Sequence, residues 1–269
     1  MLRHIMFALK RFAWFKRLNA KITYELLAKH IPAEDWHFMN YGYIPNADES
    51  RMELTGEKPV QLYPLQMYHH LAALEPMEGK QVLEVGSGRG GGARHISQYF
   101  KPAFYTGLDL AQHAVDLANK IHPFPNLKFI QGSAEAIPLP DCSIDVVINV
   151  ESCHAYGLVD KFLSEVRRVL KPGGYLLLVD FRSDNTMPVL LKQLQDSGLT
   201  MIREENISQN VIRSIEAEDA SKRERIRLLI PPKWQKLFSE FAGVVGSRFY
   251  LTLQEGSRQY YRFVLQKPA

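Results

Sequence analysis

The spacing of hydrophobic positions divides this chain into short apolar runs and longer amphipathic stretches. Between Lys80 and Asp180 the runs Gln81–Val85, Phe104–Leu108, Leu127–Ile130, Ile144–Val150 and Tyr175–Val179 read as strands. Ile144–Val150 is apolar at nearly every position, as a strand covered on both faces of a parallel sheet should be. Ala111–Ile121 and Asp160–Leu170 carry apolar residues at helical spacing: Phe162, Leu163, Val166, Val169 and Leu170 share one side of the second. Lys171-Pro172-Gly173-Gly174 reads as its stop. Strands alternating with helices predict a parallel sheet with right-handed crossovers.

Outside this region the pattern changes. Residues 60–74 read as a helix with Pro64 in its first turn, where proline costs no hydrogen bond. Residues 31–60 are punctuated by proline and glycine and hold the aromatic loop Asn40-Tyr41-Gly42-Tyr43. Downstream, Val189–Ser197 is helical and Leu199–Asn206 a strand. Ile207 to about Ile230 is a polar helix, Pro231-Pro232 opens another, and Gln259–Gln266 is a last strand. The expected fold is α/β, with a seven-stranded, mostly parallel sheet. Residues 1–75 form an N-terminal helical lid, 76–206 a ligand-binding core, 207–256 a helical substrate-side insertion and 257–269 the last strand of the core sheet.

Composition narrows the classes. At 269 residues and 46% hydrophobic, the chain suits one large α/β domain with additions. Cys142 and Cys153 show no pairing pattern, which favours a reducing, cytoplasmic setting, and no metal site is expected. The net charge of +4 is uneven: residues 1–30 carry seven basic residues against Glu25 alone. Leu2, Ile5, Met6, Leu9, Phe12 and Ala13 recur there at helical spacing, in a stretch too charged for a transmembrane span. Two readings stay open: a lid helix with a solvated basic face, or a helix giving peripheral contact with an anionic membrane surface. No nucleic-acid recognition motif accompanies the charge, so no nucleic-acid partner is expected.

The chemistry concentrates at strand ends. After Val85 the chain carries five glycines between Gly86 and Gly92, then a helix through His95, Ile96 and Tyr99. Such a turn lets a ligand lie against backbone, and N–H groups at a helix start favour polar or anionic groups. Gly86, Gly88 and Gly91 also fit the dinucleotide pattern, so the turn alone does not choose the ligand. Gly86, Asp109, Ser133–Glu135, Asn149–His154 and Asp180 all follow strands, the edge where open α/β sheets bind ligands. Asp109 suits the two hydroxyls of a ribose; its plainer role is a helix cap.

The stretches VLEVGSGRGGG (82–92), GLDL (107–110), GSAEAIPLPDCSIDVVINVES (132–152) and VLKPGGYLLLVDF (169–181) resemble the class I S-adenosylmethionine-dependent methyltransferases in order and spacing. More narrowly, MNYGY (39–43), SGRGGG (87–92) and NVESCHAY (149–156) resemble O-methyltransferases of mycobacterial complex lipids, of the phthiotriolone and glycopeptidolipid type. The resemblance implies a Rossmann-like class I sheet and S-adenosyl-L-methionine as cofactor. It implies that Gly86, Ser87 and Gly88 line the methionine and ribose part, that Asp109 binds the ribose, and that Leu110 packs beside the adenine. Ser133, Ala134 and Glu135 would reach the adenine edge, Asn149 would sit under the methionine end, Glu84 would orient the turn or the ammonium group, and Tyr41 would cover the cofactor.

For catalysis the resemblance and the chemistry converge on His154, with Asp180 orienting it. A hydroxyl attacks poorly until its proton leaves, and histidine takes protons near neutral pH. Glu151 is the rival base, and a purely structural histidine is the plainer alternative. The expected activity is O-methylation of a hydroxyl on a hydrophobic polyketide, lipid or glycolipid. Aromatics of the lid and insertion (Trp36, Phe38, Tyr41, Tyr43, Trp234, Phe238) suit such a substrate, or an ordinary core. Methylation at carbon or nitrogen, a cyclase that keeps the cofactor, and a membrane-binding module without turnover are the alternatives.

Overall fold

A computed structural model describes residues 37–49, 52 and 61–269. The amphipathic stretch 1–30, Trp36 and most of the loop before residue 61 lie outside the described residues, so the lid and membrane readings of 1–30 stay expectations. Helix α1 spans Leu62–Ala72, and β1 (Gln81–Val85) opens the α/β core. Then come α2 (Gly91–Tyr99), β2 (Phe104–Asp109), α3 (Gln112–Ile121), β3 (Leu127–Gln131) and β4 (Ile144–Val150). After β4 follow α4 (Val159–Val169), β5 (Leu170–Ser183), α5 (Met187–Asp196) and β6 (Thr200–Asn206). The insertion holds α6 (Ser208–Leu229), α7 (Pro232–Phe241) and α8 (Arg248–Gln254), and β7 (Arg258–Gln266) closes the sheet.

The seven strands lie in the order β3-β2-β1-β4-β5-β7-β6. The first five are parallel; β7 enters antiparallel between β5 and β6. Strand order reverses between β1 and β4, which opens a crevice at their carboxyl ends. The strand period of two then sorts the core. Val82, Tyr105, Val146, Ile148, Leu177 and Val264 face one side with α1, α2 and α3. Leu83, Val85, Leu108, Val147, Leu178 and Phe263 face the other with α4 and α5. In α4, Asp160 in the first turn and Arg167 and Arg168 in the last complement the helix dipole.

Several expectations need correction. The helix ends at Val169, just ahead of Lys171-Pro172-Gly173-Gly174, but the strand is longer than Tyr175–Val179: β5 begins at Leu170 and runs to Ser183. Antiparallel pairing with β7 from Tyr175↔Gln266 to Ser183↔Arg258 extends it. Asp180 therefore lies within β5, although its parallel partner β4 ends beside Val179. Helix α8 falls within the stretch expected to be helical, but the sequence does not pick it out as a separate element; Ser247 caps it by accepting the backbone N–H of Tyr250 at 3.2 Å. His70 is buried against the Tyr43 ring.

Candidate active site

The glycine turn is folded by its own backbone. Gly86 sits at φ +80 because its N–H, like that of Ser87, bonds the carbonyl of Leu108, at 2.7 and 3.1 Å. A side chain at Gly86 would run into Ser152, and one at Gly92 into the Tyr68 ring. Asp109 holds the next step: Oδ2 accepts Gly88 N–H at 2.8 Å and Oδ1 accepts Ala111 N–H at 2.9 Å. The N–H groups of Gly86, Ser87 and Gly88 are thus already bonded within the protein. Neither does Asp109 cap α3 itself, whose N-cap is Ala111 and has no side-chain cap.

One cavity runs along the crevice. Tyr41, Gly86, Ser87, Gly88, Asp109, Leu110, Ser133, Ala134, Glu135 and His154 line it. Ser133 Oγ accepts Glu135 N–H at 3.2 Å, and Glu135 in turn accepts Leu158 N–H at 3.0 Å, so this wall is preorganised. Ser87 Oγ is buried on the cavity wall with no hydrogen-bond partner, a group a ligand would satisfy. A carboxylate, an orphan hydroxyl, a glycine floor and the apolar Leu110 fit the ribose and adenine of S-adenosyl-L-methionine.

Two predicted ligand residues are placed elsewhere. Glu84 does not line the cavity; the hydroxyls of Tyr68 and Tyr105 donate to its two oxygens at 2.7 and 2.9 Å. Strand alternation turns it into the sheet face opposite Leu83 and Val85. Burial pushes its carboxyl up to about 8, against the pull of the two tyrosines. Asn149 is also fully buried and off the cavity. Its amide reaches Val85 O, Ser152 Oγ and Tyr156 OH at 2.8–2.9 Å, and its carbonyl accepts Cys153 N–H at 3.3 Å. It braces the glycine turn from behind.

His154 stands in a single 3-10 turn, Cys153–Ala155, at the cavity wall. Its Nδ1 is 2.8 Å from Asp180 Oδ1, and its backbone N–H donates to Asp180 Oδ2 at 2.7 Å. Asp180 is wholly buried behind it. Burial alone would raise that carboxyl, but the charges of Arg182 and His154 and their hydrogen bonds hold it at about 2. An ionised carboxylate only accepts hydrogen bonds, so the Nδ1 facing Asp180 carries a proton, which leaves Nε2 as the nitrogen able to exchange one. Arg182, 3.0 Å from Asp180, was missed in the sequence, where it is a lone arginine after a strand.

Glu151 also reaches the cavity, at φ +48, a left-handed conformation rare for a side chain of this kind. Its Oε1 accepts the backbone N–H of Tyr41 at 2.8 Å. Burial raises its carboxyl to about 8. Tyr41 is then fastened by the insertion: its carbonyl accepts Ser214 Oγ at 3.0 Å, its hydroxyl donates to Phe241 O at 3.1 Å, and its ring stacks on Phe249 at 3.9 Å. Phe38, Tyr68, Tyr156, Phe181 and Phe241 complete an aromatic lining. Trp234 and Phe238, expected near the substrate, do not line the cavity. Among the described residues no group of three or more His, Cys, Asp or Glu could hold a metal ion.

A family profile described as "Methyltransferase domain" matches residues 83–178. The chain is 35% identical to a fatty-acid O-methyltransferase of Mycolicibacterium smegmatis, covering 96% of this chain and 95% of that one. It is 34% identical to a phthiotriol/phenolphthiotriol dimycocerosates methyltransferase of Mycobacterium tuberculosis, covering 91% and 90%. Among solved structures it is similar in fold to the cyclase SpnF (TM-score 0.71, 18% identity, 93% and 95% covered). It is similar also to the geranyl diphosphate C-methyltransferase of Streptomyces coelicolor (TM-score 0.65, 14% identity, 94% and 98% covered).

Proposed function

The chain belongs to the class I S-adenosylmethionine-dependent methyltransferases, and from that premise we propose that it methylates a hydroxyl oxygen of a lipid-like acceptor with His154 as the base. The observation that carries this reading is the imidazole held by buried Asp180 at the wall of the cavity that the glycine turn floors.

When bound, S-adenosyl-L-methionine supplies a methyl group on a positively charged sulfur, open to in-line attack. Asp109 and Ser87 would hold its ribose side, Leu110 and Ser133–Glu135 its adenine, and Tyr41 would cover it from the lid. His154 Nε2 would take the acceptor's hydroxyl proton as the oxygen attacks, and Asp180 would steady the imidazolium that forms. Phe181 and Phe241 would exclude water from the acceptor's path. Alignment supplies much of the rate in such a displacement, so a fastened lid matters as much as the base.

The relatives support an oxygen acceptor on a long apolar molecule: one is named for fatty acids, the other for phthiotriol. A fatty-acid oxygen belongs to a carboxylate and needs no base; a phthiotriol oxygen is a hydroxyl and does. The His154–Asp180 pair favours the second kind. The test is a turnover assay on matched acceptors, a long-chain alcohol and a long-chain carboxylic acid, with wild type and His154→Ala. Methyl ether from the alcohol, lost in His154→Ala, is the expected result. Methyl ester formation that is indifferent to His154 would remove the base from the mechanism.

A further inference from the structure

Helix α7 buries none of its ten residues. Trp234, Leu237 and Phe241 fall at i, i+3 and i+7, so they form one stripe, and they are 48%, 59% and 42% exposed. Phe238, beside the stripe, is its anchor, resting on the small cluster of Ile226, Ile230, Ala242 and Val244. Just before the Ile230-Pro231 turn, Leu228 on α6 is exposed to 65%. A soluble surface helix ordinarily turns such a stripe inward. This one points it out.

We propose that α7 is a membrane-contact helix that lies on a phospholipid surface and opens the acceptor path toward it; the functional half of this proposal rests on the lipid-like acceptor argued above. Two observations choose a bilayer as the occupant. The first is continuity: Phe241 ends the exposed stripe and also lines the cavity, where its carbonyl accepts the Tyr41 hydroxyl. A long apolar chain leaving a bilayer along Trp234 and Leu237 would meet the cavity at Phe241. The second is charge and residue type. Lys233 borders the stripe, its ammonium 5.7 Å from the Trp234 ring centre. An apolar face with tryptophan, bordered by lysine, is the pattern of a helix seated at the headgroup boundary with its charges toward anionic lipid. No described helix is long and apolar enough to cross a membrane, so the contact is peripheral. It also does not depend on residues 1–30.

The test is vesicle flotation of the full chain with phosphatidylcholine vesicles about one-third phosphatidylglycerol, where α7 lysines gain most. Wild type is expected to float with the vesicles. The double variant Trp234→Glu/Leu237→Glu should lose at least about tenfold in bound fraction, since two large apolar side chains leave the surface. Neither residue lines the cavity, so cofactor affinity and turnover on a short, water-soluble alcohol should match wild type. A second variant, Lys10→Gln/Arg11→Gln/Lys16→Gln/Arg17→Gln, should still float. Wild type that stays with the soluble fraction, equal flotation of the Trp234/Leu237 variant, or flotation lost only in the 1–30 variant would each overturn the proposal. A light-scattering mass twice that of the chain, abolished by the Trp234/Leu237 substitutions, would overturn it in favour of self-association. Flotation through α7 by a protein that methylates no oxygen would support the surface assignment while sinking the acceptor reading.

Discussion

The imidazole Nδ1 of His154 lies 2.8 Å from Asp180 Oδ1, and the other oxygen of the same carboxylate takes the His154 backbone N–H at 2.7 Å. One buried side chain therefore sets both the ring's tautomer and the turn that carries it. His154→Ala is expected to lower kcat by about 10²–10⁴, the usual worth of a positioned base, with cofactor affinity unchanged. Asp180→Asn should lower kcat too, but it should also melt earlier. Arg182, 3.0 Å from Asp180 and mostly buried, would lose its counter-charge, and stripping one partner from a buried pair costs about 3–5 kcal/mol. Turnover, calorimetric cofactor titration and thermal melts on both variants separate the two roles; weakened cofactor binding in His154→Ala would contradict the assignment.

Asp109 presents a different balance, because it both shapes the glycine turn and faces the cavity. Hydrogen bonds to a charged group are worth about 1.5–3 kcal/mol. Asp109→Ala should therefore raise the dissociation constant for S-adenosyl-L-methionine by roughly 10- to 150-fold. Turnover at saturating cofactor should fall far less. Affinity equal to wild type would mean the carboxylate serves only Gly88 and Ala111.

How far these roles were legible depends on where each residue's neighbours come from. β1, β4 and the glycine turn announce themselves because a strand buried on both faces is a continuous apolar run. The full reach of β5 is set by β7, some eighty residues away. Glu84 and Asn149 were expected to reach the cofactor because they stand at the right places along the chain. Strand alternation and local hydrogen bonds turn Glu84 toward Tyr68 and Tyr105, and Asn149 toward Ser152 and Tyr156. In α1 the close approach of Tyr68 to Gly92 brings Tyr68 to the cavity wall. Periodicity gave α7 its apolar stripe, but not that the stripe points outward.

Stability should fall as pH rises from about 6.5 to 8. Glu84 and Glu151 are each raised to about 8 from an ordinary 4.5, so the folded chain holds protons that the unfolded chain has released. Their stabilisation is complete below 4.5 and is lost as pH rises through 8. His69, His95 and His122 run the other way: burial holds each at about 4 against an ordinary 6.5, so their effect is lost as pH falls through that window. Above 6.5 the histidines no longer contribute to the slope. Melting temperature measured across pH 6.5–8 should decline in wild type and decline less in Glu84→Gln, which cannot ionise. Identical slopes in the two proteins would mean that Glu84 titrates normally.

Glu151 offers the sharpest choice between catalysis and architecture. It is the rival base, but its Oε1 is occupied by the N–H of Tyr41, and its carboxyl, raised to about 8, is mostly protonated at pH 7. A protonated acid cannot take the acceptor's proton, whereas it can still accept the N–H of Tyr41. Glu151→Gln keeps that acceptor and should retain near wild-type turnover at pH 7. Glu151→Ala removes it, loosening the Tyr41 backbone while Ser214 and Phe241 still hold that residue to the insertion, so KM should rise more than kcat falls. The backbone supplies an independent check. At φ +48 a side chain costs about 1–2 kcal/mol that glycine does not. Glu151→Gly should therefore be more stable than Glu151→Ala by about that amount, while sharing its kinetic defect. A Glu151→Gln variant as inactive as His154→Ala would instead restore Glu151 as the base and leave His154 the structural role.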